Sequence, residues 1–364
     1  MGARVLSVDD REAMRRAIAL AWGGWGRVGK NPLVGALVLK DGAVVGEGFH
    51  AEWGGRHGEV AALEAAGSRA KGADLVVSLE PCAHYGKTPP CTDAIVAAGI
   101  RRVVFGARDA DPRARGGAEV LRRAGVRVEA GVLEPEVRAQ NALFFHRFAV
   151  TARPFVALKL AVSLDARIAD SRGRSQWVSE GEAREFVHWL RAGFDAIAVG
   201  AGTATADDPG LTVRGRVVPG RPPLRVVLDR RGEVPHTAAV VRTAREVPTL
   251  MLLGPDAAPA ARAALEAAGV QVAEADQPAE ALAELGRRDV GSVLVEGGGV
   301  LAGRLLKEEL VDRIYLIVAP ILLGGDGVPA FAGHPGTPID AVRRWRTVDR
   351  RTLGNDSLLV LDRP

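Results

Sequence analysis

Residues 59 to 81 read EVAALEAAGSRAKGADLVVSLEP and place a helical pattern directly before a short run rich in valine. Apolar residues in the first half recur at the spacing of an amphipathic helix, and DLVVSL is typical of a buried strand. The same order recurs in TDAIVAAG before RRVVFGA and in AEVLRRAG before VRVEAGV. Helices that alternate with short apolar strands predict βα units and a largely parallel, covered sheet, so this half of the chain is predicted to be α/β.

A second α/β series begins near Pro154. Its candidate strands are FVALKLAVS, AIAVGAGT, LRVVLDR, TLMLLG, SVLVEGGG and RIYLIVAPIL, and helical patterns such as EAREFVHWLRAG and AARAALEAAG separate them. At about 100–200 residues per domain, a chain of 364 residues has room for two domains. The sequence therefore predicts two tandem α/β domains, residues 1–149 and 150–364, with the seam within FHRFAVTARP, Phe145–Pro154.

Composition excludes several classes of function. The chain is 47% hydrophobic but has no apolar run long enough to span a membrane, so we expect no membrane partner. The N-terminus, MGARVLSVDDREAMRRA, lacks the apolar core of a signal peptide, which favours a cytoplasmic protein. The net charge is only +4 and the 48 basic residues are scattered between acidic ones, so we expect no nucleic-acid partner.

Both cysteines of the chain lie in one loop, EPCAHYGKTPPC, Glu80–Cys91. In a reducing compartment, close cysteines are more often metal ligands or catalytic thiols than a disulfide. Upstream, RHGEVAAL supplies His57 and Glu59 in an H-x-E pattern. One histidine and two cysteines form the ligand set of a catalytic zinc ion (Zn²⁺) with an open fourth position, and Glu59 is a neighbouring carboxylate that can carry protons.

The spacing of these residues restricts where they lie. Residues two apart in a helix point in different directions, so His57 and Glu59 can share a site only at the beginning of a helix, which Gly54-Gly55 permits. Cys91 comes directly before Thr92-Asp93, a predicted N-cap, and a helix N-terminus favours the thiolate that a metal requires. The alternative is a structural zinc site, which would normally use four protein ligands, or buried cysteines beside an unrelated histidine.

The second domain lacks the G-x-G-x-x-G pattern, so a Rossmann nucleotide site is not supported. Instead, LVEGGGVLAGRLL places Gly297–Gly299 between a strand and a helix. Backbone amides of a glycine loop that opens a helix suit an anion such as the pyrophosphate of a dinucleotide. A tight turn without a ligand is the alternative.

Together, these motifs resemble those of a known family. EPCAHYGKTPPC with its long cysteine spacing, NPLVGALV, GEGFHAEWGGRHGEVAAL and, in the second domain, LKLAVSLDARIA, SQWVS, VGAGTATADDPGLTVR and VEGGG are similar to the bifunctional riboflavin-biosynthesis enzymes that fuse a pyrimidine deaminase to a pyrimidine reductase. The resemblance runs from about Asp10 to Leu361. It implies a cytidine-deaminase-like α/β/α domain followed by a dihydrofolate-reductase-like α/β domain.

The resemblance also implies two reactions on a small-molecule pyrimidine nucleotide. The first is the zinc-dependent hydrolytic deamination of 2,5-diamino-6-ribosylamino-4(3H)-pyrimidinone 5′-phosphate. The second is the NADPH-dependent reduction of the ribosyl side chain to a ribityl chain. By the same resemblance we expect a homo-oligomer, either a dimer or a tetramer.

For the deaminase, the resemblance implies zinc ligands at His57, Cys82 and Cys91, with Glu59 as the catalytic proton carrier. Family positions near the substrate correspond to Asn31, His50, His84 and Lys87, for which surface loop residues with local hydrogen bonds are the alternative. The chain departs from the family pattern at Gly58, where alanine is usual, and at Arg113, where asparagine is usual.

For the reductase, the resemblance implies a longer set of residues. Lys159 and Asp207 are candidates for catalysis, Ala161, Trp177, Thr203, Asp207 and Gly298 for the NADPH site, and Ser175, Arg191, Leu211, Arg214 and Glu296 for the substrate site. A lysine at the edge of a strand and a core tryptophan are the alternatives for Lys159 and Trp177. Departures are Ala166, where glycine is usual, and Arg230, where serine is usual.

The end of LRVVLDRRG adds an expectation about the cofactor. Ligands of open α/β sheets collect at the carboxyl ends of strands, and a guanidinium there can bind the 2′-phosphate of NADPH. We therefore expect a preference for NADPH over NADH with a contribution from Arg230 or Arg231, the alternative being two solvated turn residues.

Two other classes of function remain open at this point. A nucleic-acid base deaminase would share H-x-E and the cysteines, but it should lack the second domain and should show a basic groove. A noncatalytic, zinc-stapled nucleotide-binding module would have no need of Glu59.

Overall fold

The computed structural model describes residues 9–150, 152–176 and 178–364. The chain divides into two compact units, one ending at Ala149 and one beginning at Val150. In the described residues, no helix is long and apolar enough to cross a membrane. Each unit is an α/β structure, as predicted.

The N-terminal unit is built on a five-stranded sheet with the strand order β2-β1-β3-β4-β5. Its elements are α1 (Asp10–Ala21), β1 (Gly35–Lys40), β2 (Ala43–Phe49), α2 (Gly58–Ala66), β3 (Asp74–Leu79), α3 (Cys91–Ala97), β4 (Arg102–Ala107), α4 (Gly117–Arg123), β5 (Arg127–Ala130), α5 (Glu134–Gln140) and α6 (Ala142–Ala149). Short 3₁₀ turns follow α1 and α2.

This sheet is less parallel than the sequence indicates. β3, β4 and β5 are parallel, but β1 runs antiparallel to both of its neighbours, β2 and β3. The apolar run LVGALVLKDGAVVGEG is a hairpin, because Asp41 and Gly42 both have positive φ and form the two-residue turn that joins antiparallel strands.

The helix that carries H-x-E packs closely on this hairpin. A Cβ at Gly48 of β2 would lie 2.5 Å from the backbone nitrogen of Ala62 in α2. Glycine at this position therefore lets the backbones of α2 and β2 approach each other, which fixes the beginning of α2 at the end of the sheet.

The C-terminal unit is built on a nine-stranded sheet with the order β11-β10-β9-β8-β12-β6-β13-β16-β15. Its elements are β6 (Phe155–Val162), β7 (Arg167–Ala169), α7 (Gly181–Arg191), β8 (Ala196–Gly200), α8 (Ala201–Asp207), β9 (Leu224–Leu228), α9 (Ala239–Arg242), β10 (Thr249–Leu253), α10 (Pro259–Ala267), β11 (Gln271–Glu274), α11 (Pro278–Arg287), β12 (Ser292–Val295), α12 (Gly299–Lys307), β13 (Arg313–Val318), β14 (Val328–Pro329), β15 (Arg346–Leu353) and β16 (Asp356–Asp362).

All six predicted strands of this unit are present, and they are parallel to their neighbours from β11 to β13. The sequence analysis missed the antiparallel β15–β16 hairpin and the short helix α8 within VGAGTATADDPG. Alternate residues of the strands feed two separate apolar clusters, Val226 in one and Val227 in the other. The sheet is therefore covered on both faces, and ligands of such sheets bind beyond the carboxyl ends of the parallel strands.

Candidate active sites

Three sulfur and nitrogen ligands meet in the N-terminal unit. His57 is the N-cap of α2, Cys82 follows β3, and Cys91 is the first residue of α3. The Nδ1 atom of His57 lies 3.2 Å from the Sγ of Cys91 and 3.5 Å from the Sγ of Cys82. The three ligand atoms all lie within 4.8 Å of one another.

These distances fit a tetrahedral zinc site. With Zn–N bonds of about 2.0–2.1 Å and Zn–S bonds of about 2.3 Å, a tetrahedron separates nitrogen from sulfur by about 3.6 Å. Within the described residues, this is the one group of three or more histidine, cysteine or carboxylate side chains placed to hold a metal ion, and it contains no fourth protein ligand. Three ligands with an open position are the arrangement of a catalytic zinc site rather than of a structural one.

The neighbours of the ligands orient them. The Oγ1 of Thr88 lies 3.4 Å from the Nε2 of His57, so the ring is held with Nδ1 towards the thiols. The helix α3 begins at Cys91 with Pro90 as its N-cap, two residues before the predicted N-cap at Thr92. The backbone N–H of Cys91 donates to the Sγ of Cys82 at 3.4 Å, so the end of this helix supports a thiolate.

The pKa values of the two thiols shift in opposite directions. A hydrogen bond from Cys91, together with one from His57, lowers the pKa of Cys82 to about 4, although burial opposes this. The same hydrogen bond and burial raise the pKa of Cys91. Cys82 is therefore poised as a thiolate ligand.

Glu59 lies in the first turn of α2 and is 3% exposed. Burial raises its pKa to about 7, although His57 opposes this. A carboxyl group with such a pKa can both accept and release a proton near neutral pH. The departure at Gly58 has a local explanation, because a Cβ there would lie 2.8 Å from the carbonyl oxygen of Val34.

A cavity of about 440 Å³ opens beside the ligands and is lined by His57 and Cys82. The four predicted substrate residues also line it: Asn31, His50, His84 and Lys87. The Nδ2 of Asn31 lies 3.2 Å from the Nε2 of His50, whose Nδ1 lies 2.9 Å from the carbonyl oxygen of Arg56. In the described part of the chain, the buried Nδ1 of His84 has no hydrogen-bond partner.

Several residues of this cavity were missed from the sequence: Trp53, Asp109, Asp111, Ala114 and Phe144. The Nζ of Lys87 lies 3.2 Å from the centre of the Trp53 ring, and this cation–π contact holds the ammonium group at the wall of the cavity. Arg113, the departure from asparagine, also lines the cavity and donates to the carboxylate of Asp111 at 2.7 Å. An isolated aromatic or acidic residue gives no sequence signal, because its role depends on which loops fold together.

The C-terminal unit contains a larger cavity, of about 1160 Å³, at the carboxyl ends of β8, β9, β10 and β12. It is lined by nearly all of the predicted reductase residues: Lys159, Ala161, Ser175, Arg191, Thr203, Asp207, Leu211, Arg214, Glu296 and Gly298. Trp177 lies outside the described residues. The structure thus brings together, in one cavity, residues that span about 140 positions of sequence.

Charged side chains are buried along one wall of this cavity. Arg191, at the end of α7, forms a forked ion pair with Glu296, with N–O distances of 2.5 and 3.0 Å. Burial lowers the pKa of Lys159, and Glu296 counteracts this effect. Burial alone would raise the pKa of Glu296, but Arg191 lowers it. Across the cavity, the Oγ of Ser175 donates to the carboxylate of Asp207 at 2.9 Å.

The glycine loop opens a helix, as predicted. Gly298 is the N-cap of α12, and its N–H donates to the Oγ1 of Thr203 at 3.1 Å. A Cβ at Gly299 would lie 2.0 Å from the carbonyl oxygen of Pro329, so the helix must begin with glycine to pack here. Gly297, Gly298 and Gly299 line the cavity, and a glycine turn at the beginning of a helix suits an anion such as the pyrophosphate of a dinucleotide.

Comparisons with known proteins agree with this arrangement. Residues 7–107 match the family model of the cytidine and deoxycytidylate deaminase zinc-binding region, and residues 154–359 match that of the RibD C-terminal domain. The riboflavin biosynthesis protein RibD of Aquifex aeolicus is 40% identical over 316 residues, covering 86% of this chain and 88% of that protein. The protein of the same name from Mycobacterium tuberculosis is 39% identical over 362 residues and covers 98% of each chain.

Solved structures give the same result. Acinetobacter baumannii RibD is similar with a TM-score of 0.80 and 35% identity, covering 97% of this chain and 98% of that one. A Thermotoga maritima protein described as a diaminohydroxyphosphoribosylaminopyrimidine deaminase and 5-amino-6-(5-phosphoribosylamino)uracil reductase has a TM-score of 0.80 and 38% identity over the same shares. The zinc and NADPH expected from the sequence are the cofactors of this two-domain architecture. The chain therefore belongs to the RibD family of riboflavin biosynthesis, the bifunctional enzymes that combine a zinc-dependent deaminase with a reductase.

Proposed function

We propose that the N-terminal unit deaminates 2,5-diamino-6-ribosylamino-4(3H)-pyrimidinone 5′-phosphate and that the C-terminal unit reduces the ribosyl chain of the product with NADPH. The deaminase proposal depends on the convergence of His57, Cys82 and Cys91 beside a cavity. Glu59 is buried in the first turn of α2, the helix that His57 caps. A nucleic-acid base deaminase would not need the RibD C-terminal domain that follows. A zinc-stapled binding module would not need a buried carboxyl group at Glu59.

His57, Cys82 and Cys91 would hold zinc in the deaminase. When bound, the metal supplies a nucleophile from water at neutral pH, because it lowers the pKa of that water. Glu59 then takes a proton from the attacking water and delivers it to the departing amino group. Asn31 and His50, fixed by their mutual contact, are placed to orient the pyrimidine. Lys87, which lines the same cavity, would bind the phosphate.

In the reductase, the glycine loop at Gly298 would hold the pyrophosphate of NADPH, which supplies the hydride. Lys159 and Asp207 would polarise the ribose and handle its protons, which is supported by their common position in the lining of this cavity. The forked pair of Arg191 and Glu296 fixes both side chains before the substrate binds, which reduces the entropy lost on binding.

Replacing Glu59 by glutamine tests the deaminase. We expect Glu59→Gln to keep its zinc stoichiometry, because the residue is not a ligand. Ammonia release should fall by about 100-fold to 10,000-fold, the usual loss when a general acid-base is removed. Zinc content by elemental analysis and ammonia release from the diaminopyrimidine substrate are measured on the same preparation.

Glu64→Gln is the matched control. Glu64 lies on the same helix, but it is exposed and pairs with Arg56 at 3.1 Å on the surface, so its replacement should leave ammonia release unchanged. Near-normal ammonia release by Glu59→Gln would contradict the proposed mechanism.

Two further expectations belong to this proposal. We infer a cytoplasmic location, supported by two unbridged cysteines that stay reduced in such a compartment. We also infer a dimer or tetramer, supported by exposed apolar side chains at Leu164 and Leu322 of the C-terminal unit. Sedimentation analysis of the purified chain tests the second, and a monomer at working concentration would contradict it.

A further inference from the structure

A strained segment lines the reductase cavity. Residues 208–211 follow α8, and all four line the cavity directly after Asp207. Its two ends have an unusual backbone, because φ is +42° at Asp208 and +47° at Leu211. Residues other than glycine keep such a conformation only where the surrounding structure holds them in it. Two anchors provide this support.

The first anchor is the side chain of Asp208. Its Oδ1 accepts a hydrogen bond of 2.6 Å from the backbone N–H of Ala239, the first residue of α9. The side chain is therefore tied to a different element from the one that carries its backbone. Asp208 also tolerates the left-handed conformation better than an apolar residue, because its short polar side chain can bond locally.

The second anchor is Arg225, the second residue of β9, which is 0% exposed. Its Nη1 donates to the carbonyl oxygen of Gly210 at 3.3 Å and to the Oγ1 of Thr243 at 2.7 Å. The other nitrogen, Nη2, donates to three acceptors around α9 and the start of β10: the carbonyl oxygens of Val240 and Val247 and the Oγ1 of Thr249.

A buried guanidinium group without a carboxylate partner needs an explanation. Every hydrogen bond of Arg225 in the described part of the chain goes to a neutral acceptor. Burying such a charge is costly, and an apolar side chain would pack at this position without that cost. What Arg225 adds is a set of fixed donors that reach both α9 and the cavity segment.

Both anchors bond to the same short region, α9 and the residue that follows it. Asp208 bonds to Ala239, and Arg225 bonds to Val240 and Thr243. We propose that Asp208 and Arg225 are positioning residues of the reductase, which hold residues 208–211 against α9 so that the catalytic candidate Asp207 and the substrate-site candidate Leu211 keep their places in the cavity. This inference rests on the proposed reductase function of the cavity.

A pair of variants at one position tests the first anchor. Asp208→Ala removes both the acceptor and the tolerance of positive φ, whereas Asp208→Asn keeps an oxygen acceptor and the same backbone preference. We expect the KM of the deaminated pyrimidine to rise by about 10-fold to 100-fold in Asp208→Ala, the range that follows from a misplacement of about 1 Å. Asp208→Asn should restore most of the loss.

Two buried arginines provide the second comparison. Arg225→Met should raise the same KM, whereas Arg313→Met removes a buried arginine that pairs with Asp362 and does not line the cavity. Both variants should lower the melting temperature, but only the first should change the KM. Amide hydrogen exchange of residues 208–214, followed by mass spectrometry, should accelerate in Arg225→Met and not in Arg313→Met. Ammonia release by the same chains should be unchanged.

Each outcome decides the inference. An unchanged KM and unchanged exchange of residues 208–214 in folded Asp208→Ala and Arg225→Met would overturn it. If Arg225→Met fails to fold, the two Asp208 variants decide alone. If the wild-type chain does not reduce the pyrimidine, the proposed function fails, and hydrogen exchange still tests the anchors.

Discussion

Glu59 and Lys159 show how burial sets the chemistry of single residues in this protein. Desolvation raises the pKa of Glu59 and lowers that of Lys159, so burial favours the uncharged form of each group. Charged neighbours oppose the shift in both cases, His57 for the carboxyl group and Glu296 for the amine. For Glu59 the raised pKa, about 7, allows proton exchange near neutral pH, and for Lys159 burial favours the neutral amine.

Arg230 is the residue with which we test the choice of cofactor. It lines the reductase cavity at the end of β9, and its Nε and Nη2 donate to the carboxylates of Asp276 and Asp256. Among the described residues, this leaves the Nη1 of Arg230 to donate to a 2′-phosphate. We expect Arg230→Ala to reduce the ratio of kcat/KM for NADPH over NADH by about 10-fold, a modest value for a charge-assisted contact because the side chain is half exposed.

Arg231→Ala is the control for this prediction. Arg231 is exposed, is not among the residues that line the cavity, and lies 3.6 Å from Glu233. Binding of 2′,5′-ADP and of 5′-AMP, measured by calorimetry, separates recognition from turnover. Equal NADPH-over-NADH ratios of kcat/KM in wild type and Arg230→Ala would mean that Arg230 is a solvated turn residue without a contact to the 2′-phosphate.

At the level of elements, the turn between β6 and β7 contains a residue in an unfavourable backbone conformation. Ala166 has φ of +58°, its N–H donates to the carbonyl oxygen of Ser163 at 3.0 Å, and its side chain is exposed. This explains why glycine suits this position, as the sequence comparison with the family indicates. We expect Ala166→Gly to raise the free energy of unfolding by about 0.5–1 kcal/mol, because relief of strain exceeds the added freedom of the unfolded chain.

The control for this turn is Ala263→Gly. Ala263 is exposed in the middle of α10, where glycine should lower the free energy of unfolding by about 1 kcal/mol. Denaturant unfolding of both variants measures the two effects. A destabilised Ala166→Gly would mean that the turn does not hold this conformation in solution.

Features that depend on a local sequence pattern were predicted, whereas features that depend on pairing or burial in the folded chain were missed. Six strands of the C-terminal unit were predicted because each is a local apolar run. His57, Cys82 and Cys91 were predicted because zinc restricts ligand type and spacing. The β1–β2 hairpin was missed, since its antiparallel pairing depends on a turn at Asp41-Gly42 that resembles an interruption in one strand. The role of Arg225 could not be predicted, because the sequence does not indicate whether an arginine in a strand is buried or exposed.

On the scale of the whole molecule, the account describes two chemical centres, each inside its own compact unit. The proposed zinc ligands and their cavity belong to residues before Ala149, and the proposed reductase cavity belongs to residues after Val150. Each unit has its own apolar cluster, so loss of a functional group in one should leave the fold of the other intact.

Separate assays of the two activities in single-site variants test this claim most directly. Ammonia release from the diaminopyrimidine and NADPH oxidation with the deaminated intermediate are measured for Cys82→Ser and Asp207→Asn in the full chain. The account predicts that Cys82→Ser loses zinc-dependent deamination and keeps reduction, and that Asp207→Asn does the reverse. Loss of both activities in either variant, with the protein folded and soluble, would contradict the assignment of one centre to each unit.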